Sequence, residues 1–225
     1  MGLFLFDFLG NASIGVYSLV NDRLAIIPPQ VSENSRKKVE EWLKVKTIVT
    51  TVGKSLIIGA LTCSNSNGMV LPPFTTEDEI ESIKSAVDMN LTVMDTKKTA
   101  YGNMVLANDK GAVVDPRIER ESVDKLSDTL GVEVIPCEIA GLPYVGSLAT
   151  ATNKGVLAHP LLKDTEREVL SDVLKVPVDV GTVNCGIPYV ATGLVGNSYG
   201  AVAGLLTTGP EMFIIGQALD VVREI

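Results

Sequence analysis

Apolar and polar positions alternate in a block that recurs along the chain. Each block is a polar turn, a small residue, an apolar run and a proline. It stands at SNGMVLPP (66–73), NDKGAVVDP (108–116) and TNKGVLAHP (152–160). NDRLAIIPP (21–29) fits the frame with leucine at the small position, and NSYGAVAG (197–204) fits it without the proline. The frame position is held by Leu24, Gly68, Gly111, Gly155 and Gly200, in steps of 44, 43, 44 and 45 residues. A second glycine lies nine residues upstream in four copies, at Gly15, Gly59, Gly102 and Gly146. A fixed period of this length is the mark of a repeat architecture.

Each unit reads locally as two strands joined by a turn, in which glycine supplies positive φ. The proline ends the second strand because it has no N–H for a central ladder. A helix follows. Thr76 with Glu79, Thr165 with Glu168 and Thr208 with Glu211 have capping-box spacing, and Pro210 sits in a first turn, where its missing N–H costs little. The apolar faces are Ile80, Ile83 and Val87 in unit two, Val123, Leu126 and Leu130 in unit three, and Val169, Leu170, Val173 and Leu174 in unit four. Unit one offers Val39, Trp42 and Leu43. A β-branched strand follows each of the first four helices, as in VKTIVTT (45–51) and VPVDVGTV (176–183). The predicted unit is β-β-α-β, with repeats near 11–55, 56–98, 99–142, 143–187 and 188–225 of one domain spanning 1–225.

The fifth unit lacks room for its last strand. LFLFDFL (3–9) sits where such a strand should be, so residues 1–10 are expected to close the fifth unit. Closure removes an exposed repeat end. The expected fold is α+β: a closed pseudo-fivefold β/α propeller, with strands inside and helices outside.

Charge and composition then narrow the function. Nineteen basic residues against 27 acidic ones give a net charge of −8, which argues against a broad basic surface gripping bare DNA or RNA. Aromatic residues are 5 % of the chain, too few for a base-stacking platform. Cys63, Cys137 and Cys185 are odd in number and widely spaced, which predicts buried thiols in a reducing compartment and neither a disulfide framework nor a metal site. The apolar N-terminus is short, is interrupted by Asp7 and has no basic start, and no uninterrupted apolar run reaches membrane-spanning length. A cytoplasmic protein without cofactor is expected. Asn11 and Asn90 match the glycosylation pattern, which matters only for a secreted chain.

Few residues offer chemistry. VGKS (52–55) lacks the glycine of a phosphate loop, because Ile48 is there, and a strand follows it. DPRIERE (115–121) reads as the solvated start of a helix. His159, the sole histidine, could pair with a cysteine from another unit, but no cysteine has an activating neighbour. Gly15, Gly59, Gly102 and Gly146 are expected to begin the inner strands and to gather at the axis, either because backbones converge there or as a flat docking face. Asn103 breaks the apolar pattern beside them, where Val16 and Ala60 stand in units one and two, so it is the better contact candidate.

IGVYSL (14–19), AYGNMVLANDKGAVVDP (100–116), VGSLATATNKGVLAHPLL (145–162), DVLKVPVDVGTVN (172–184) and TTGPE (207–211) together resemble the translation initiation factor 6 proteins of archaea and eukaryotes. The resemblance runs over residues 11–220. It implies a pentein, five β-β-α-β units about an axis, and a factor without catalytic residues. It implies binding to the large ribosomal subunit through a ribosomal protein near the sarcin–ricin loop, with minor rRNA contact. The bound factor would prevent association with the small subunit, and it would also serve ribosome biogenesis. It implies a monomer with no DNA or membrane partner. By motif match Asn103 is the ribosome-binding residue, with Gly102, Gly15, Gly59 and Gly146 around it. Leu206 stands where the family often has aspartate. The chain ends without the long tail of eukaryotic members, which points to the archaeal type. The rival expectation is a pentein hydrolase or transferase acting on a guanidino group with a cysteine and His159.

Overall fold

A computed structural model describes residues 2–221. Strand β1 (Leu3–Phe6) opens the chain. Unit one follows as α1 (Ile14–Tyr17), β2 (Leu19–Val20), β3 (Leu24–Ile27), α2 (Glu33–Leu43) and β4 (Lys46–Val49). Unit two repeats this as α3 (Ile58–Leu61), β5 (Cys63–Ser64), β6 (Gly68–Leu71), α4 (Glu77–Ala86) and β7 (Asn90–Val93). Unit three has α5 (Tyr101–Met104), β8 (Val105–Ala107), β9 (Ala112–Val114), α6 (Arg120–Leu130) and β10 (Val134–Pro136). Unit four has α7 (Val145–Leu148), β11 (Ala149–Ala151), β12 (Val156–Ala158), α8 (Asp164–Leu174) and β13 (Val178–Val180). Unit five has α9 (Val190–Gly193), β14 (Leu194–Asn197), β15 (Gly200–Gly204) and α10 (Gly209–Ala218).

Every unit forms one three-stranded sheet with the middle strand antiparallel to the first and parallel to the third. In unit five the third place is taken by β1, with Leu3 opposite Ala201 and Phe6 opposite Gly204. The N-terminal strand therefore closes the ring, and the architecture is the α+β pentein of five β-β-α-β repeats. The sequence pattern missed one element. The upstream glycines do not begin strands; they lie in the single-turn helices α1, α3, α5 and α7, each just ahead of the inner strand.

Each core cluster is shared by two neighbouring units. Leu24, Ile26 and Ile48 of unit one pack with Ile58, Met69 and Ile83 of unit two. Leu157 of unit four packs with Val190, Ala203 and Ile215 of unit five. Phe8, Ile27 and Leu43 join Val202 across the closure. No unit buries its apolar face alone, which is the physical basis of a repeat ring.

The hairpin glycines correct a second expectation. Gly68, Gly111, Gly155 and Gly200 do not use positive φ. A Cβ there would lie 2.0 Å from the Thr129 carbonyl oxygen, 2.1 Å from that of Val173, 1.8 Å from that of Ala218 and 2.6 Å from that of Trp42. Each glycine thus admits the helix end of the next unit. In unit one Leu24 holds this place and joins the apolar cluster of Ile83, with Val87 packed against it. The turns are made by asparagine. Asn65 accepts at Oδ1 from the amides of Asn67 and Gly68, and its Nδ2 donates to the carbonyls of Asn108 (3.1 Å) and Leu130 (2.8 Å). Asn108 repeats this to Thr152 and Leu174, and Asn197 closes the circle to Asn21 and Leu43.

A third stitch comes from helix starts. Capping boxes form at Thr76/Glu79 and Thr208/Glu211 as predicted. The expected Thr165/Glu168 box does not form; α8 starts two residues earlier, and Glu166 accepts from the Lys163 amide at 3.0 Å. Only this carboxylate half exists, since lysine has no acceptor. These glutamates also clamp the loop that precedes their unit. Glu79 accepts from the amides of Gly53 and Lys54, Glu166 from Ala140 and Gly141, and Glu211 from Cys185 and Gly186.

Candidate functional site

Parallel second and third strands end where the first strand begins, so the five turn helices and the loops around them share one end of the ring. Consecutive turn helices touch, α1 with α3, α3 with α5, α5 with α7, α7 with α9 and α9 with α1. Glycine is the requirement for that closeness. A Cβ on Gly59 would lie 1.9 Å from the Gly15 carbonyl oxygen, one on Gly102 1.8 Å from that of Gly59, and one on Gly146 2.1 Å from that of Gly102. A Cβ on Gly15 would lie 1.9 Å from the carbonyl of Ala191, which holds the fifth position. Below the turn helices the axis encloses about 110 Å³, lined by Ser18, Thr62, Val105, Ala149 and Leu194 among others.

The four predicted glycines and Asn103 therefore surround one small mouth. The residues after the glycine frame position are Val16, Ala60, Asn103, Ser147 and Thr192. Ser147 and Thr192 turn their hydroxyls back onto the carbonyls of Tyr144 and Tyr189. The Asn103 side chain, half-buried, makes no hydrogen bond among the described residues. Its amide is open to solvent and thus available to something outside the fold.

The same end carries most of the exposed large apolar residues. Ile57, Leu142 and Ile187 lie on loops before the turn helices, beside Tyr144 (47 % exposed) and Tyr189. Phe74, Leu161, Leu205 and Leu206 lie just after the second strands. Such residues gathered at one end make that end a candidate interaction surface. Sequence pattern did not find them, because each is a lone apolar residue in a loop and only the topology gathers them.

A model of the eIF-6 family matches residues 4–218. Translation initiation factor 6 of Pyrococcus horikoshii is 44 % identical over 221 residues, covering 96 % of this chain and 97 % of that protein. The proteins of the same name from Methanocaldococcus jannaschii and Staphylothermus marinus are 38 % and 36 % identical, over 96 % and 94 % of both chains. The chain belongs to the eIF-6 family. Its glycine face is therefore the candidate site of an eIF-6 family member, and the residues named from motif match sit together there.

The residues of the rival reading do not meet. In this eIF-6 family chain His159 is buried at the end of β12, and its Nδ1 accepts from the Leu161 amide at 3.1 Å. Burial lowers its pKa, against a weaker pull from Glu166. Cys63 is fully buried and its thiol is pushed up to about 12 by burial. Burial also raises Cys137, whose Sγ points to the Glu138 carbonyl. Cys185 is exposed in a turn, against the expectation of a buried thiol. Among the described residues no cysteine hydrogen-bonds His159, and no group of His, Cys, Asp and Glu could hold a metal. VGKS lies in the loop clamped by Glu79, and its amides face a carboxylate where a phosphate loop would hold a phosphate. DPRIERE contains an ion pair with one buried partner: Asp115 is fully buried and accepts from Nη2 of the exposed Arg117 at 2.7 Å. No described helix is long and apolar enough to cross a membrane.

Proposed function

We propose that this eIF-6 family chain acts in the cytoplasm as a monomeric translation initiation and ribosome maturation factor, binding the large ribosomal subunit through its glycine face and preventing premature association with the small subunit. The observation that carries this reading is the unpartnered Asn103 amide at the mouth of the glycine ring, within a rim of exposed apolar side chains. Asn103 contacts the partner directly. Gly15, Gly59, Gly102 and Gly146 act by keeping the turn helices close, so that the face is shallow and free of side chains at its centre. The block is steric and involves no catalytic group. All five repeats act as one domain, since every core is shared between neighbours.

The chemistry of the face suggests the partner. Apolar side chains need an apolar counterpart, and a chain of net charge −8 is attracted to a basic one. A basic ribosomal protein near the sarcin–ricin loop supplies both, with rRNA in a minor role.

The test is sedimentation with purified subunits. The protein should migrate with large subunits and not with small ones, and should lower the yield of joined ribosomes. Asn103→Arg should weaken large-subunit binding at least tenfold while leaving the melting temperature within about 2 °C, the scale of a tolerated surface change. Full binding by Asn103→Arg would remove Asn103 from the contact.

A further inference from the structure

One of the five loops leading into the turn helices departs from the others, and it is the loop beside Asn103. The other four reverse through a short bridge, at Phe8–Asn11, Val52–Ser55, Ile139–Leu142 and Val183–Ile187. Each of these carries positive φ, as at Gly10, Gly53, Gly141 and Gly186. Residues 95–100, DTKKTA, have neither the bridge nor positive φ. Three of the regular loops are held by a glutamate from the following helix; at the matching position α6 has Ser122. A break in a repeat that is otherwise locally consistent is where function is expected.

Beside this loop lies a cleft of about 400 Å³, lined by Lys97, Lys98, Asn103, Asp115, Arg117 and Tyr144 among others. Its charges are arranged in order. Asp115 is consumed internally: Oδ1 accepts from the Arg117 amide (2.8 Å) and Nε (3.0 Å), and Oδ2 from Nη2 (2.7 Å). The guanidinium so fixed lies 4.8 Å from the centre of the Tyr144 ring. Lys98 donates to the Arg117 carbonyl. Lys97 is exposed and has no hydrogen bond or ion pair among the described residues. Three cations thus stand against one buried carboxylate, in a chain that is negative overall.

We propose that this cleft binds a single-stranded stretch of RNA, with a phosphodiester between Lys97 and Lys98 and a base stacked on Tyr144. Arg117 backs the ring and fixes its orientation, so little is lost in ordering it when a base arrives. Stacking on an aromatic ring beside cations is the general means of holding unpaired nucleotides. An acidic peptide would use the lysines but gain little from the ring. The proposal rests on the reading of this end as the ribosome-facing one, and it names the RNA contact of that face.

The full chain is titrated against a fluorescein-labelled, unstructured ten-residue RNA by fluorescence polarisation, and in parallel against a labelled ten-residue polyglutamate. Tyr144→Ala and the double change Lys97→Glu with Lys98→Glu should each weaken RNA binding about tenfold or more. Tyr144→Phe should restore it, and Lys84→Glu on the outer helix α4 should not alter it. The double change should also flatten the dependence of log affinity on log salt, by about 0.7 for each phosphate no longer neutralised. Thermal melts establish that the variants fold. RNA binding that is absent, or indifferent to both variants, overturns the proposal. So does polyglutamate bound more tightly than RNA and released by the lysine changes alone. Sedimentation of the wild-type protein with large subunits judges the docking reading separately: co-migration with indifferent RNA variants sinks the cleft alone. Failure to co-migrate sinks the docking reading and leaves the RNA titration to judge the cleft.

Discussion

At Gly102 a single hydrogen stands where any other residue would place a carbon 1.8 Å from the Gly59 carbonyl oxygen and 2.6 Å from that of Thr62. Backbone is the obstacle, so a rotamer change cannot relieve it. Gly102→Ala should destabilise the chain by about 2–4 kcal/mol, at the upper end of what overpacking costs. Chemical unfolding would show a lower midpoint with an unchanged slope. Gly209→Ala, where a Cβ meets nothing within 4 Å, should stay within about 1 kcal/mol and serves as the comparison. Equal midpoints for the two variants would refute the packing argument. The spacing of these glycines was legible in the sequence, and so was their convergence. Their setting in helical turns was not, because four residues such as YGNM are too few to show a helical period. Hairpin glycines misled for a different reason. Glycine after a polar turn usually signals positive φ, but here the need comes from a carbonyl of the next unit, about 61–63 residues away at Gly68, Gly111 and Gly155.

Among the elements, the helix starts show how one residue can serve two units. Burial pushes the Glu79 carboxyl up, but the Thr51 hydroxyl and the amides of Thr76, Lys54 and Gly53 outweigh it and hold the group at about 2. Glu211 is likewise pushed up by burial and drawn down to about 2, by the amides of Thr208 and Gly186 and the hydroxyls of Thr182 and Thr208. Glu166 is pushed up by burial and drawn below its ordinary value by the amides of Lys163, Gly141 and Ala140 and by the Lys163 charge. A carboxyl whose folded pKa lies below its unfolded value adds stability at higher pH. That contribution is complete above the ordinary value of 4.5 and is lost as pH falls through about 2. Stability should therefore decline progressively from about pH 5 to pH 2. Glu79→Gln removes charge-assisted bonds and should cost about 2–3 kcal/mol at pH 7, and the cost should shrink towards pH 2. Urea titrations of both proteins across that range would measure it; a pH-independent difference would assign the loss to packing instead. The Thr76/Glu79 and Thr208/Glu211 spacings gave the caps directly. The second duty of each glutamate was invisible, since its loop partners lie 25 to 29 residues upstream and are backbone amides joined by a single threonine hydroxyl, Thr51 or Thr182.

For the whole molecule, the decisive contact joins the two ends of the described chain. Strand β1 supplies the third strand of unit five, pairing residue by residue with β15 from Leu3 to Phe6. Leu3 and Leu5 pack on one core cluster, while Phe6 and the buried Phe8 pack on the next. Phe4 and Phe6 further stack on and abut Trp42 of α2, at 4.5 Å and 5.4 Å between ring centres. Deleting residues 1–10 would thus strip two adjacent cores at once and leave the edge of β15 unpaired. Partial burial of Leu3, Phe4, Leu5 and Phe6 and full burial of Phe8 together contribute on the order of 5–10 kcal/mol, much of the margin of an ordinary domain. The truncated chain should consequently unfold at a far lower urea concentration. Its open strand edge should also recruit a second copy, because unpaired edges template association. Gel filtration at rising concentration, read beside the urea midpoint, distinguishes this from a local loss. A truncated chain that remained monomeric with an unchanged midpoint would mean that the ring does not depend on closure. The contacts that remain at the junction, the bonds from Asn197 to Asn21 and Leu43, those from Ser198 to Asp22 and the touch of α9 on α1, would then have to carry it. A few hydrogen bonds worth about 1 kcal/mol each do not replace the apolar packing lost from two adjacent cores, so the expected outcome is collapse of cooperativity at the seam between units five and one.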